Sequence, residues 1–296
     1  MKFVRTPDER FGELPDYDFE PNWFDWEGLR LHFLDEGQGP PVVLFHGEPT
    51  WAFLYRKVIP VLTAAGYRAI APDYPGFGRS DKPTDPGFYT YDRMTRAIAA
   101  LAEHLDLSDA AVVVQDWGGP LGLRIATEAP DRFERLVILN TGLYTGRQPG
   151  QAFLAWQGFV TANPNLPVAR ILSMAAITTW PEEVVAAYEA PFPTPEHKVG
   201  AWRMPLIVPL ADDDPGAAEM MVVREALALW EKPALVLFGD SDPIFSVRAG
   251  ARMAALIPGA GDLEVVEGAG HFLQEDKGEE VAERIVEFLR RTDPAP

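Results

Sequence analysis

Five short apolar runs alternate with longer polar and amphipathic stretches along most of the chain. Each run is nearly continuous in apolar side chains, which is typical of parallel strands buried on both faces. A sixth stretch, residues 26–37, alternates apolar and polar positions and predicts an antiparallel strand at the edge of the sheet. The five apolar runs are residues 40–47, 67–74, 110–116, 134–140 and 233–240.

Three of the intervening stretches have helical periodicity. Residues 91–105, 120–130 and 278–292 carry apolar side chains three and four positions apart, as expected of helices with one buried face. A succession of strands and helices of this kind predicts an α/β protein with a mostly parallel, doubly wound sheet. Ligands of such sheets bind beyond the carboxyl ends of the strands.

The alternation stops after Asn140. Residues 141–210 contain no clear strand and are rich in tryptophan, proline and apolar helical segments, and the strand pattern returns only at residue 233. We therefore expect a helical cap formed by residues 141–210. It would be inserted into a core domain made of residues 1–140 and 211–296, and would lie over the strand ends.

Composition excludes several classes of protein. The 296 residues include 26 Lys and Arg against 44 Asp and Glu, for a net charge of −18, so a nucleic-acid partner or an anionic membrane surface is not expected. No stretch approaches the ~18 apolar residues of a membrane-spanning helix. The absence of cysteine excludes disulfides, thiolate metal sites and a cysteine nucleophile. Residues 1–21 lack the apolar core of a secretory signal, and we expect a cytoplasmic protein.

Asp116 stands where a buried strand turns into a helix. Gly118 and Gly119 follow it, and small residues there permit the tight strand-to-helix turn that presents a nucleophile. The free NH groups at the helix start can stabilise negative charge. The alternative interpretation is an ordinary helix N-cap, a position that aspartate favours.

Other strand ends supply groups that would work with this aspartate. His271 lies in a glycine-flanked loop before the last helix and can act as a base. Asp242, or alternatively Asp240, follows the run at 233–240 and can hold the imidazole in one tautomer. The backbone NH of Glu48, after the first run, can serve as an oxyanion donor. The order nucleophile, acid, base favours catalysis over a cap.

Four motifs carry a resemblance to a known family. They are "HGEPTW" (46–51), "APDYPGFGRSDKP" (71–83), "VVVQDWGGPLGL" (112–123) and "GAGHFLQED" (268–276). In order and spacing they resemble the haloalkane dehalogenases of the α/β-hydrolase fold, over nearly the whole core. The resemblance implies a doubly wound sheet with an inserted helical cap. It also implies hydrolysis of haloalkanes to a primary alcohol, halide and a proton, without a cofactor or metal.

The resemblance also implies the role of each residue. Asp116 would displace the halide and form an alkyl ester, His271 would activate water, and Asp242 would support the imidazolium. The backbone NH groups of Glu48 and Trp117 would hold the oxyanion. An aspartate suits this chemistry because its ester can be hydrolysed, whereas the ether formed by a serine could not.

Two tryptophans are expected to bind the leaving halide, because an indole NH donates a hydrogen bond and cannot accept one. The first is Trp117, next to the nucleophile. Resemblance to the subgroup with two tryptophans and an Asp-His-Asp set points to Trp156 as the second, with "YEAPFP" (188–193) as a supporting landmark. Trp180 and Trp202 are the alternatives.

An apolar pocket would suit a small halogenated substrate and strengthen charge interactions inside it. The expected partners are therefore this substrate and the product halide, and we expect a monomer. The apolar residues predicted to line the pocket are Phe153, Phe159, Leu172 and Phe272.

Two other functions remain compatible with the sequence. An epoxide hydrolase would use the same Asp-His-Asp set, with Tyr144 and Tyr188 protonating the epoxide oxygen. A binding protein without activity could share the fold, although an intact catalytic set argues against it. No serine has a G-x-S-x-G setting and no G-x-G-x-x-G is present, which excludes serine esterases and disfavours dinucleotide enzymes.

Overall fold

The computed structural model describes residues 1–146 and 149–293. Residues 147–148 and 294–296, which belong to the predicted cap and the last core segment, lie outside the described residues. The strands are β1 (Phe3–Val4), β2 (Asn22–Trp26), β3 (Leu29–Glu36), β4 (Pro41–Phe45), β5 (Arg68–Pro72), β6 (Lys82–Pro83), β7 (Ala110–Gln115), β8 (Phe133–Leu139), β9 (Ala234–Gly239) and β10 (Glu264–Val266).

The helices are α1 (Ile59–Ala64), α2 (Tyr91–His104), α3 (Gly118–Glu128), α4 (Gln151–Ala162), α5 (Val168–Ala175), α6 (Glu182–Glu189), α7 (Val199–Arg203), α8 (Ala217–Leu227), α9 (Val247–Leu256), α10 (Leu273–Asp276) and α11 (Gly278–Thr292). Helix α11 shows why such segments become helical at the surface of the core. Its residues Val281, Ile285 and Phe288 are buried along one face, and burial of such a stripe stabilises a helix against the rest of the protein.

Eight strands form the main sheet in the order β10-β9-β8-β7-β4-β5-β3-β2. Strands β4, β5, β7, β8, β9 and β10 pair in parallel, and β3 pairs antiparallel with both β2 and β5. All six residues of β7 and of β9 are buried. The prediction of a mostly parallel sheet made of continuous apolar runs is therefore confirmed.

The prediction that residues 26–37 form the edge strand was wrong. Strand β3 has a partner on each side, and the edge is β2. The two strands form a hairpin through Glu27 and Gly28, which both have positive φ angles, 49° and 82°. Two successive residues in this conformation make the type of turn that matches the twist of a hairpin. The Glu-Gly pair is a weaker signal for it than Asn-Gly, so β2 escaped notice.

The segment between β8 and α8 leaves the sheet. Within its described residues it contains helices α4 to α7 and no strand, and α5 packs against α6. Helix α8 packs against α3, so the chain has returned to the sheet's helical layer by Ala217. Among the described residues, no helix has the length and apolar content needed to cross a membrane.

Candidate active site

Asp116 lies in the turn between β7 and α3 with a φ of 48°, a backbone conformation that non-glycine residues seldom adopt. The turn is tight because α3 starts against the neighbouring strand β4. A Cβ atom at Gly118 would lie 2.1 Å from the carbonyl oxygen of Phe45, so no side chain fits there. The Asp116 carboxylate is thereby held at the carboxyl end of the sheet.

The two oxygens of the Asp116 carboxylate have different surroundings. The backbone NH of Glu48 donates a 2.8 Å hydrogen bond to Oδ1, whereas Oδ2 faces His271 at 3.7 Å. Burial raises the pKa of Asp116 above its ordinary value, and His271 and the NH groups of Trp117 and Glu48 oppose that rise. Desolvation therefore outweighs the donors, as it does at many reactive carboxyl groups.

His271 links two carboxylates. Its Nδ1 lies 2.9 Å from Oδ2 of Asp242, and its Nε2 points towards Asp116. Burial lowers the pKa of the imidazole, but the combined effect of Asp242 and Asp116 raises it by more than burial lowers it. The pKa of His271 therefore lies above its ordinary value. A ring whose Nδ1 donates to a carboxylate keeps Nε2 free to accept a proton.

Asp242 is fixed by its own turn, and Asp240 points elsewhere. Oδ1 of Asp242 accepts hydrogen bonds from the backbone NH groups of Ile244 at 2.7 Å and Phe245 at 3.1 Å. Asp240 is exposed and accepts from Ser241. The structure therefore brings Asp242, and not the alternative Asp240, to the imidazole.

Two polar residues that sequence reasoning missed hold the backbone of the His271 turn. Nδ2 of Asn140 donates to the carbonyl oxygens of Gly270 at 2.8 Å and His271 at 3.2 Å. Nε2 of Gln115 donates to the latter oxygen at 3.1 Å. Gln115 ends β7 and Asn140 follows β8. Their positions at the ends of buried strands, where a polar side chain needs a hydrogen-bond partner, were the sequence signal that could have identified them.

A cavity of about 230 Å³ contains the Asp116 carboxylate and the His271 imidazole. Its floor consists of turns at the strand ends, which contribute Glu48, Pro49, Trp117, Pro243, Ile244 and Phe272. The segment between β8 and α8 supplies the opposite side with Phe153, Trp156, Ile171, Met174, Ala175 and Pro205. The cavity therefore lies at the junction of sheet and inserted helices, and is mostly apolar.

Two of the four predicted pocket residues line this cavity, Phe153 and Phe272. The structure contradicts the other two, which are not among its described lining residues. Phe159 stacks on Trp156 with ring centroids 6.0 Å apart and is 42% exposed. Leu172 is fully buried on α5, one position out of phase with Ile171. Because a helix advances about 100° per residue, the cavity face of α5 carries residues 171, 174 and 175 instead.

Of the four tryptophans considered as halide donors, two line the cavity and two do not. Trp117 and Trp156 line the cavity. Trp180 stacks on Tyr188 with ring centroids 5.0 Å apart, and the Nε1 atom of Trp202 is buried. Neither of these two is among the described lining residues. Trp156 is therefore the indole that the inserted segment brings to the cavity of Asp116.

The ionisable groups that line the cavity are Glu48, Asp116 and His271, with no lysine or arginine among the described lining residues. Burial raises the pKa of Glu48 well above its ordinary value, and the charge of Asp116 raises it further. Both effects favour the uncharged form of the Glu48 carboxyl group. The described part of the chain contains no group of three or more His, Asp or Glu side chains placed to hold a metal ion.

Comparison with known proteins places this chain in a family. Residues 40–278 match the family model for the alpha/beta hydrolase fold. A haloalkane dehalogenase of Psychrobacter cryohalolentis is 46% identical, with 98% of each chain covered. Haloalkane dehalogenase 1 of Mycobacterium tuberculosis is 44% identical over 99% of this chain and all of its own.

A solved structure agrees with these relatives. The chain superimposes on a tetrameric haloalkane dehalogenase of Paraglaciecola agarilytica with a TM-score of 0.92 and 37% identity, covering 96% of this chain and 97% of the other. The predicted α/β-hydrolase fold is thereby confirmed. With identities of this size over nearly the full length, the chain belongs to the haloalkane dehalogenase family.

Proposed function

We propose that this protein hydrolyses haloalkanes to a primary alcohol, halide and a proton through an alkyl ester on Asp116. One observation carries the proposal. Inside an apolar cavity, one oxygen of Asp116 accepts the NH of Glu48 at 2.8 Å while the other lies 3.7 Å from Nε2 of His271. This arrangement separates an oxygen that can attack carbon from an oxygen that is already stabilised.

In the first step, Oδ2 of Asp116 forms a bond to the halogenated carbon. The carbon–halogen bond breaks, and the halide leaves with the bonding electrons. The indole NH groups of Trp117 and Trp156 donate to the departing halide, as in the two-tryptophan subgroup. An indole has no charge to pair with Asp116, so the donors stabilise the halide and leave the nucleophile free.

In the second step, Nε2 of His271 takes a proton from water as the water oxygen adds to the ester carbonyl carbon. Negative charge develops on Oδ1, which already accepts the NH of Glu48 at 2.8 Å, and the NH of Trp117, which also favours the charged form of Asp116, is the second proposed donor. Asp242 stabilises the imidazolium through the 2.9 Å contact to Nδ1. The bond between the ester carbon and the alkyl oxygen then breaks, and the alkoxide takes the proton held by His271 and leaves as the alcohol. The remaining carboxyl group loses its proton to solvent, which restores Asp116.

We also propose that residues 141–210 act as a cap over a core made of residues 1–140 and 211–296. Support comes from the cavity, one side of which comes from this segment. Helix α8, after the segment, packs on α3 of the core. A cap that excludes water from the cavity strengthens the charge interactions at Asp116.

Epoxide hydrolysis is not favoured. The hydroxyl of Tyr188 donates to Oε1 of Glu275 at 2.5 Å, and the ring of Tyr144 packs on Phe153 with centroids 5.2 Å apart. Neither tyrosine is among the described lining residues of the cavity. We therefore expect bromide from a bromoalkane and no diol from the matching epoxide.

The decisive experiment is the variant His271→Gln with 1-bromohexane. It keeps the nucleophile and removes the base, so bromide should be released once per protein. Intact mass should increase by one hexyl group, located by peptide mapping on Asp116. The control Asp116→Ala should give neither bromide nor added mass. Turnover without an ester in His271→Gln would contradict the covalent route.

A further inference from the structure

The turn that carries His271 touches the inserted segment where the chain passes from α5 to α6. The NH of His271 donates to the carbonyl oxygen of Ala175 at 3.2 Å. The preceding residue comes equally close, because a Cβ atom at Gly270 would lie 2.8 Å from the same oxygen. The proposed base and one edge of the proposed cap are therefore in direct backbone contact.

A single carboxylate, that of Asp276, spans this contact. Its Oδ2 accepts the NH of Gly270 at 2.8 Å. Its Oδ1 accepts the NH of Thr178 at 2.8 Å and the hydroxyl of Thr178 at 2.6 Å. The NH of Ile177 lies 3.1 Å from both oxygens. Hydrogen bonds to an ionised carboxylate are stronger than those between neutral groups, so Asp276 ties residues 177–178 to the turn.

The backbone at Gly270 and His271 is thus held from two sides. Its carbonyl oxygens accept hydrogen bonds from Asn140 and Gln115, which belong to the sheet. Its NH groups donate to Asp276 and to Ala175 of the inserted segment. The sheet fixes one side of the turn independently of Asp276, whereas the orientation of the other side depends on it.

Asp116 is positioned by different contacts. The turn between β7 and α3, the NH of Glu48 and the hydroxyl of Thr141, which donates to the Asp116 carbonyl oxygen at 2.5 Å, hold the nucleophile. None of these groups is hydrogen-bonded to Asp276 among the described residues. Loss of Asp276 should therefore displace the imidazole and leave the nucleophile in place.

We propose that Asp276 is a positioning residue for His271, acting through the Gly270 NH and the inserted segment, and that it supports ester hydrolysis but not halide displacement. This rests on the proposed function, in which only the second step uses His271. A small misplacement of a general base has a large effect on rate, since proton transfer requires hydrogen-bond distance to the water.

The test compares the two steps in Asp276→Asn by rapid quench with 1-bromohexane, following bromide and the hexyl ester separately. An asparagine has one acceptor oxygen in place of two and turns an NH₂ group towards the NH donors. We expect displacement within about twofold of the wild-type rate and hydrolysis slowed by about tenfold or more. The ester should then account for most of the protein in the steady state.

The matched control is Tyr188→Phe. It removes a hydrogen bond between the inserted segment and Glu275, next to Asp276, and leaves the contacts of Gly270 and His271 unchanged. Both steps should stay within about twofold of wild type. In the variant Gly270→Ala the added methyl group would push the His271 turn away from Ala175 of the inserted segment, so this variant should also slow hydrolysis selectively. It serves as the second test if Asp276→Asn does not fold.

Three outcomes would overturn the role of Asp276: wild-type hydrolysis in Asp276→Asn, equal slowing of both steps in that variant, or a hydrolysis defect of the same size in Tyr188→Phe. If Asp276→Asn does not fold, Gly270→Ala decides by the same criteria. Failure of the proposed function looks different. In that case the wild-type protein and His271→Gln form no hexyl ester at all.

Discussion

The backbone NH of Glu48 donates a 2.8 Å hydrogen bond to Oδ1 of Asp116. This contact makes the two carboxylate oxygens inequivalent before any substrate binds. In the proposed mechanism Oδ2 attacks, and Oδ1 becomes the ester carbonyl oxygen without moving away from its donor. The site that stabilises the second step is therefore complete before the first step begins, which avoids a rearrangement between them.

Trp156→Phe should slow halide displacement. Removal of one donor from a developing anion costs about 100- to 1,000-fold in rate in a water-poor site. The rate of the bromide burst should fall by that factor, and bromide should bind more weakly as a product inhibitor. Trp202→Phe, at an indole that is not among the described lining residues, is the control and should keep both values. Equal effects of the two variants would contradict the assignment of Trp156.

The two steps should differ in pH dependence. Asp242 and Asp116 raise the pKa of His271 above 6.5 against the opposing effect of burial, and the base works only in its neutral form. Hydrolysis should therefore decline at acid pH, and in the ester only Asp242 still raises the pKa of His271, because the ester removes the charge of Asp116. Displacement requires ionised Asp116, whose pKa is raised above 3.8 by burial.

The measurement is the single-turnover rate of each step between pH 4 and 9. The ester should accumulate as the pH is lowered, because protonation of His271 stops hydrolysis while displacement requires only an ionised Asp116. A hydrolysis rate that stays constant on the acid side would argue against His271 as the base. As a control, the same rates are measured at one pH in buffers with and without halide salts, which shows whether buffer halide inhibits either step.

Glu48→Gln should become more stable relative to wild type as pH rises. Burial and Asp116 raise the pKa of Glu48 well above 4.5 in the folded protein. Between 4.5 and that raised value the folded state binds more protons than the unfolded state, so wild-type stability declines with increasing pH. The glutamine variant lacks this contribution.

Melting temperatures of both proteins from pH 4 to 8 provide the test for Glu48. Their difference should shift in favour of Glu48→Gln across this range. The exposed residue Glu103 in α2 supplies the control, because Glu103→Gln should keep a nearly constant difference from wild type. A constant difference for Glu48→Gln would mean that Glu48 is ionised in the folded protein.

Asn140→Ala should destabilise the fold as well as the site. Asn140 is fully buried, donates to Gly270 and His271, and accepts the NH of Gly239 at 2.9 Å. Loss of three buried hydrogen bonds at about 1 kcal/mol each predicts a decrease of about 3 kcal/mol in the free energy of unfolding. Urea unfolding measures it. The exposed residue Asn165 is the control, with an expected change below about 0.5 kcal/mol.

Much of the fold could be predicted because buried parallel strands leave a direct record in the sequence. Strands β4, β5, β7, β8 and β9 coincide with continuous apolar runs, since both faces of each are covered. The hairpin of β2 was missed because its turn depends on the backbone angles of Glu27 and Gly28. A Glu-Gly pair is only a weak sequence signal for such a turn. Local sequence indicated an alternating strand but not its neighbours.

The proposed catalytic set could be predicted from the sequence because each residue lies within three positions of a strand end or in a glycine-flanked loop. The predicted pocket was not accessible in the same way. Leu172 and Ile171 are both apolar, and only the rotation of α5 decides which of them meets the cavity. Asp276 was missed because its partners Ile177 and Thr178 lie about 100 positions away in the chain. No local pattern records such a contact.

Six described residues on one side of the cavity come from a single stretch of chain, 153–205, and none of them belongs to the sheet. Substitutions in this stretch can alter the volume and shape offered to a substrate without disturbing Asp116, Asp242 or the strands that carry them. Apart from Trp156, the proposed halide donor, the residues of this stretch can therefore vary while the nucleophile, the base and its acid partner stay in place. Exchange of this stretch between relatives should transfer a preference for substrate size, provided that residues 175–178 still fit the turn of His271.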